Sequence, residues 1–399
     1  MNSIPIDDIS IDDVNRLYES SEREKHFYDF KRQINWDENG KDKLKKWVVA
    51  FANANGGDVI VGVCEEEGVI GVEIENIDAY LTRINNVLYN SVEPIIGNLQ
   101  LGNIKVDDEN KYIVVIRVGK SYLAPHRIKG GEKYWVRRIE TDNMQMGIDQ
   151  IREMFNYSQE TRGRLNNFVD SRVSLIKQGN PDVSEAVDKG VMFFASPIGL
   201  FAQDKHYDVT SYVVGKGYCL NCWGVSNNHP RMNFDGIINE YVIGSPDLNY
   251  GGAYTQIHRN GVFETVSSLI ATNGRFRKNI IHGHSFAVNL IKLLKNTVSR
   301  YINTIGYFGP VQLNLYLFNL ESYDLELPNT FSFNGGLNKP LFRFPSLYVE
   351  QDIGANAIRQ VKPWLDQLWN AFGHRECFPY RSEHTIVLDG KEYYDEDAE

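Results

Sequence analysis

The sequence predicts an α/β (α+β) protein built as two modules, each a mixed sheet with helices. Three observations carry this. The chain has 399 residues, more than one ordinary domain holds. β-branched apolar runs of strand length alternate with amphipathic stretches of helix length. Glycine, asparagine and proline punctuate the joins. Apolar residues make up 42% and charged residues 24%, enough to build sizeable cores.

Taken in order, residues 1–23 are polar and acid-rich. Ser10 is placed to cap a helix through Tyr18, with Asp12 and Asp13 in its first turn. His26 to Lys31 reads as a strand. Its period of two sets Tyr28 and Phe30 on one face and Phe27, Asp29 and Lys31 on the other. Glu24 has the wrong parity for Asp29's face, and approaches it only if the chain turns before His26.

Lys41 to Ala54 is an amphipathic helix with Leu44, Trp47, Val48 and Phe51 on one face, ended by Asn55-Gly56-Gly57. Asp58 to Val63 is a buried strand, Glu65-Glu66-Glu67-Gly68 its turn, and Val69 to Ile74 its return. Ile77 to Asn90 is a helix. Ile104–Val106 and Tyr112–Val118 form a hairpin, Tyr134–Arg138 a strand, and Ile148–Phe155 a helix. This closes a first module, residues 1–157.

Residues 158–189 are polar and largely helical until Gly179-Asn180-Pro181, and read as a connector. The second module, residues 190–390, starts strand-rich, at 190–195, 211–214, 234–241, 254–258 and 262–266. Asn260-Gly261 is a hairpin turn between the last two. A helix over 285–304, a strand over 311–320 and a helix over 355–372 follow, with Pro363 a kink or boundary in the last. The acidic tail, 391–399, is expected to be disordered.

Net charge is −10, which argues against indiscriminate coating of nucleic acid. Two stretches depart from it. Arg117 to Arg138 holds seven Lys/Arg against Glu132, and Tyr254 to Tyr301 seven against Glu264. They mark local anion sites or solvated faces. No apolar run reaches bilayer length, and the acidic N-terminus lacks a leader pattern. Four cysteines make no disulfide framework, so a reducing cytoplasmic setting is expected.

Cys219 and Cys222 have metal-ligand spacing with His229 following. A structural zinc needs four ligands, however, and the other cysteines are Cys64 and Cys377. His282-Gly283-His284 reads as a polar loop. Gly56-Gly57 lacks the Gly-Lys-Ser/Thr of a phosphate loop.

The stretch richest in functional signal is 24–71. Carboxylates at the ends of adjacent strands suit Mg²⁺ or Mn²⁺, which take oxygen ligands, and such a metal activates water against a phosphodiester. From spacing alone, solvated acids beside a turn are the alternative reading. Glu24-x4-Asp29-Phe30-Lys31, then Ala50-Phe51-Ala52-Asn53-x2-Gly56-Gly57-x4-Gly62-Val63-x-Glu65-x2-Gly68-x2-Gly71, resembles the Schlafen-type AlbA-like domain over about residues 15–157. The Ala-Phe-Ala-Asn…Gly-Gly…Gly-Val core is the specific part.

That family includes ribonucleases cutting transfer and ribosomal RNA, and bacterial proteins described as DNA-binding regulators. The resemblance implies a metal-binding catalytic set at Glu24, Asp29 and Glu65, with Lys31 beside it. It further implies phosphate contacts from Arg127, Lys129, Lys133, Arg137 and Arg138, a homodimer, and a structured, tRNA-like RNA substrate in antiviral or stress defence. Two positions depart from the pattern. Asp29 replaces a glutamate and Glu65 an aspartate, so one side chain is shorter and the other longer while the number of carboxylates is kept. Lys25 stands where the family often has serine. The alternatives are a non-catalytic nucleic-acid-binding regulator and a sensor or scaffold subunit with a defence-system partner protein. No membrane partner is expected.

Overall fold

The structure is a computed structural model. It describes residues 6–20, 27–64, 66–97, 99–106, 110–130, 136–139, 142–184, 186–202, 223, 230–241, 252–272, 279–305, 307, 310–326, 336–349, 353–377, 379–388 and 390–395; for 136–139, 142, 202 and 272 it describes the backbone alone. The chain divides into two compact units, Met1–Arg162 and Gly163–Glu399. Both are α/β in construction.

In the first unit, α1 (Ile11–Glu19) begins at Ser10, whose side chain accepts from the Asp13 N–H while Asp13 reaches back to the Ser10 N–H. This reciprocal capping box satisfies two helix-end donors. The next elements are β1 (Tyr28–Lys31), α2 (Glu38–Ala52), β2 (Gly56–Val61), β3 (Val63–Cys64), β4 (Gly68–Val69), β5 (Val72–Glu73), α3 (Ile77–Ser91) and β6 (Val92–Glu93). Then come β7 (Leu99–Lys105), β8 (Lys111–Gly119), β9 (Arg127–Ile128), β10 (Val136–Ile139), β11 (Asp142–Gln145) and α4 (Ile148–Gln178).

The central sheet runs β1-β2-β8-β5, with β7 also on β8; β1 is parallel to β2 and the others are antiparallel. Strand parity divides its core in two. Val59, Val61, Val114 and Ile116 pack with Leu44, Val48 and Phe51 of α2 and Ile84 and Leu88 of α3. Tyr28, Phe30, Ile60, Ile113 and Val115 pack with Val14 and Leu17 of α1. The sheet is thus covered on both faces, which accounts for its near-continuous apolar strands.

α2 starts three residues before its expected position. Asn39-Gly40 resembles a turn, but Asp37 caps the helix by accepting from the Gly40 N–H at 2.6 Å. A Cβ on Gly40 would lie 2.0 Å from the Asn35 carbonyl oxygen, so glycine is required by the backbone crossing there rather than by flexibility. α4 runs unbroken to Gln178, through the first part of the expected connector. Its end falls at the anticipated breaker, where Gly179 takes φ +92°.

The second unit has β12 (Gly190–Pro197), α5 (Ile198–Ala202), β13 (Arg231–Met232), β14 (Gly236–Tyr241), β15 (Ala253–His258), β16 (Phe263–Ser267), β17 (Ala271–Thr272) and β18 (Ile280–His282). α6 (Gly283–Lys292) continues through a π-helical turn, Leu293–Val298, into α7 (Ser299–Thr304). β19 (Val311–Phe318), β20 (Asp324–Glu326), β21 (Leu341–Arg343), β22 (Leu347–Val349), α8 (Ala357–Ala371), β23 (Tyr380–Ser382), β24 (Thr385–Leu388) and β25 (Lys391–Tyr394) complete it.

Among the described residues its main sheet runs β13-β14-β15-β16-β12-β19-β21, with β22 also on β19. Phe193, Ile257, Phe263, Leu313 and Leu315 face Phe286, Leu290, Trp364 and Trp369 of the helices. The opposite face carries Tyr254, His258 and Glu264, and Glu264 is bound there by Arg172 of α4.

Two expectations for this unit differ from the structure. The start of the tail is ordered: Lys391–Tyr394 pair with β24, and buried Asp395 accepts from the Ile358 and Arg359 N–H groups at the start of α8. An acidic residue there satisfies helix N-terminal donors, which composition alone does not reveal. His282 is not in a polar loop; it ends β18, and its Nδ1 lies 2.5 Å from Glu326 Oε2. The strand expected at 211–214, and Cys219, Cys222 and His229, lie outside the described residues.

Candidate functional site

β1 lies on the edge of the first unit's sheet, parallel to β2, with Asp29 opposite Val59 and Lys31 opposite Val61. The period-two reading of this strand holds. Tyr28 and Phe30 enter the α1-side core, so Asp29 and Lys31 project to the α2 side. There Lys31 Nζ lies 2.5 Å from Asp29 Oδ1 and 5.2 Å from the centre of the Trp47 ring. The Asp29 side chain is 5% exposed and that of Lys31 26%, so this is a sheltered ion pair.

The chain leaves β2 through Gly62 at φ +102°, a value that L side chains rarely adopt. The Gly62 N–H donates to the Lys31 carbonyl at 2.8 Å, and its carbonyl accepts from Ile70 and Gly71. This pins the β3–β4 hairpin to the C-terminal end of β1. Arg32, just past β1, donates to Glu67 at 2.7 Å and lies 3.9 Å from Cys64 Sγ. The hydrogen bond to Glu67 raises the Arg32 pKa.

Glu24 and Glu65 lie outside the described residues. Among the described residues, no group of three His, Cys, Asp or Glu side chains is placed to hold a metal ion. The described member of the expected set, Asp29, is a buried carboxylate, and oxygen donors of that kind fit Mg²⁺ or Mn²⁺ in type.

The basic residues divide. Arg127 is bound to Glu93 across the β6–β9 pair. Lys129 is exposed just beyond β9, and its backbone N–H donates to the Ser91 carbonyl. Arg137 and Arg138 fall on β10, opposite Met144 and Asn143 of β11. Lys133 lies outside the described residues. Arg117, counted in the basic stretch, makes a two-point bond to buried Asp58, Nε to Oδ1 at 2.9 Å and Nη2 to Oδ2 at 3.0 Å. The two are register partners on adjacent strands, and a charge paired this way contributes little to a surface field. Sequence reading missed Asp58 because an acid inside an apolar run looks like the start of a strand.

A role for the Ala-Phe-Ala-Asn element also emerges. Asn53, 1% exposed, bonds both backbone groups of His126: Nδ2 donates to its carbonyl at 2.8 Å, and Oδ1 accepts from its N–H at 2.7 Å. The His126 ring is enclosed, with Nδ1 2.7 Å from the Pro94 carbonyl and Nε2 2.6 Å from Ser121 Oγ. Burial pushes its pKa down to about 4. The glycine pair just after the helix allows close packing: a Cβ on Gly57 would meet the Phe51 ring at 2.3 Å.

These features define a small mixed-sheet α/β domain. It presents a buried carboxylate–lysine pair on a parallel edge strand, and a separate loop held by a buried asparagine. Residues 24–146 match the family model for the Schlafen, AlbA_2 domain. The first unit therefore carries a Schlafen-type AlbA-like domain, a class that points to a nucleic-acid-related function. Among solved structures, the DIP2311 protein from Corynebacterium diphtheriae is similar over 30% of this chain and 22% of its own, at 18% identity and a TM-score of 0.24. So short a likeness, at that score, carries no argument about function. No curated protein matches the chain. Among the described residues, no helix is long and apolar enough to cross a membrane.

Proposed function

We propose that the chain is a metal-dependent endoribonuclease acting on structured, tRNA-like RNA, in the cytoplasm and in antiviral or stress defence. The observation that supports this best is Asp29, a buried carboxylate held at 2.5 Å by Lys31 within a domain of nucleic-acid-related type. Burying an acid is costly unless it is used or compensated. In this reading Glu24, Asp29 and Glu65 would hold Mg²⁺ or Mn²⁺, which supplies an activated water and neutralises phosphate charge when bound. Lys31 orients Asp29 through their ion pair and offers a cation to a phosphodiester oxygen. Lys129, Lys133, Arg137 and Arg138 would contact the backbone, with Arg127 joining them if it leaves Glu93. RNA is recognised largely by shape, phosphates and 2′-hydroxyls, which suits such groups. The chain would act as a homodimer, and a defence-system partner protein would engage the second unit.

The same ion pair favours a second reading. An ammonium already neutralising Asp29 leaves a domain that binds nucleic acid without cutting it, as a regulator would. Incubation of total RNA and single-stranded DNA with Mg²⁺ or Mn²⁺ separates the two. The nuclease reading expects Mn²⁺-dependent cleavage by the wild type, loss of at least 100-fold (an order-of-magnitude expectation for an essential site group) in Asp29→Asn, and RNA binding retained in that variant. Binding without cleavage under either metal leaves the regulator.

A further inference from the structure

The first unit holds a groove of about 610 Å³ between α2 and α3, not lined by Asp29 or Lys31. Lys41 and Lys45 line one wall, and Thr82, Arg83, Asn86 and Asn90 the other. We infer that this groove binds the sugar–phosphate backbone of RNA. The inference rests on the nucleic-acid reading of the domain but does not depend on cleavage.

The geometry is that of a row of donors rather than a single anion pocket. Lys41 and Lys45 are one helical turn apart, about 6 Å along α2. Arg83 to Asn90 spans two turns of α3, about 10 Å. The groove is open to solvent, so a nucleic-acid strand can reach it. The Lys41 and Lys45 side chains are only 28% and 14% exposed, so both are largely covered along the helix surface. They pair with surface acids one turn away, Lys41 with Glu38 at 2.8 Å and Lys45 with Asp42 at 2.9 Å, and those acids' side chains are 85% and 55% exposed. With the acid of each pair exposed to water, the pairs are weak and can be exchanged for a phosphate.

Arg83 is preorganised. Its guanidinium lies 4.0 Å from the centre of the Trp36 ring, and Trp36 is braced edge-to-face by Tyr80 at 5.2 Å. Stacking uses the guanidinium face and leaves its in-plane N–H groups for a phosphate fork. Thr82 and Asn86 add neutral groups of the kind that bond phosphate oxygens and 2′-hydroxyls. Among the described residues, the lining holds three cations against Glu38, and with Asp42 beside Lys45 the balance is still positive by one, on an acidic protein.

The test is the salt dependence of binding by the full chain to a labelled single-stranded RNA, between about 50 and 200 mM KCl. Lys41→Gln, Lys45→Gln and Arg83→Gln together should make the slope of log K against log salt shallower by about 2, since each lost phosphate contact removes about 0.7 to 0.9. The swaps Lys41→Arg, Lys45→Arg and Arg83→Lys should restore most of the slope, and Lys339→Gln, an exposed control in the second unit, should leave it unchanged. Circular dichroism establishes that each variant is folded. A triple variant with the wild-type slope overturns this inference while leaving the proposed function standing. A wild type that binds neither this RNA nor a transfer RNA overturns both.

Discussion

Asn53 and His126, 73 positions apart, are joined by a two-point hydrogen-bonded clamp, the Asn53 amide donating to and accepting from the His126 backbone. Neither group of His126 has a strand partner, so the amide replaces the ladder the loop lacks. Asn53→Ala leaves a buried donor and a buried acceptor without that partner, at about 1–3 kcal/mol each. The expected loss is about 2–6 kcal/mol in a denaturant titration. Asn53→Asp should cost as much, because a carboxylate oxygen then faces the His126 carbonyl.

Burial of the His126 ring makes the first unit acid-sensitive. Its folded pKa is pushed down to about 4 from the usual 6.5, so between those values the unfolded chain takes up a proton that the folded chain refuses. Stability therefore falls as pH drops from about 6.5 to about 4, by about 3 kcal/mol over the whole interval, and levels off below it. Denaturant midpoints across that range should show the decline, and His126→Gln should flatten it. A wild-type midpoint independent of pH there refutes the assignment.

Asp58 and Arg117 predict a non-additive pair. Arg117→Met strands a carboxylate whose side chain is 1% exposed, and about 3–5 kcal/mol should be lost. Adding Asp58→Leu should recover most of that, since apolar replacement of a buried ion pair is often close to neutral. The coupling from a double-mutant cycle is the measurement, and simple additivity contradicts the pairing.

Glu264 organises the second unit. It is fully buried, accepts from Arg172 and Tyr254, and lies 3.0 Å from His258 Nε2. Hydrogen bonds from His258 and Arg172 outweigh burial and hold its pKa down at about 2, below the usual 4.5. A depressed acid contributes stability above its unfolded pKa and loses it as pH falls from about 4.5 towards about 2. Glu264→Gln keeps the shape but leaves Arg172 without its counter-charge, and about 3–5 kcal/mol should be lost. Hydrogen exchange should localise that loss to β15, β16 and the C-terminal half of α4.

Much of this fold is legible in the order of residues, because its signals are local. Ser10 and Asp13 announce a helix start, Asn260-Gly261 a hairpin, and Gly179 a helix end, each through one residue's preferred geometry. The facing of Asp29 and Lys31 follows from a period of two and holds. Less was visible where local appearance opposes a tertiary need. Asn39-Gly40 looks like a turn, yet the crossing of Asn35 places a helix there. Lys391–Tyr394 and Asp395 look like solvated tail, yet β24 and the donors of α8 order them.

The sequence by itself determined the α/β class, the strand that carries Asp29 and Lys31, and the helix and glycines around Asn53. The tertiary structure alone decided which charges are spent. Arg117 is neutralised by buried Asp58, Arg127 is engaged by Glu93 and Arg172 by buried Glu264, while Lys41 and Lys45 pair with the surface acids Glu38 and Asp42 and line a groove with Arg83. A count of basic residues cannot make that division, because Coulomb energy depends on distance and burial, and both are set by partners far away in the chain.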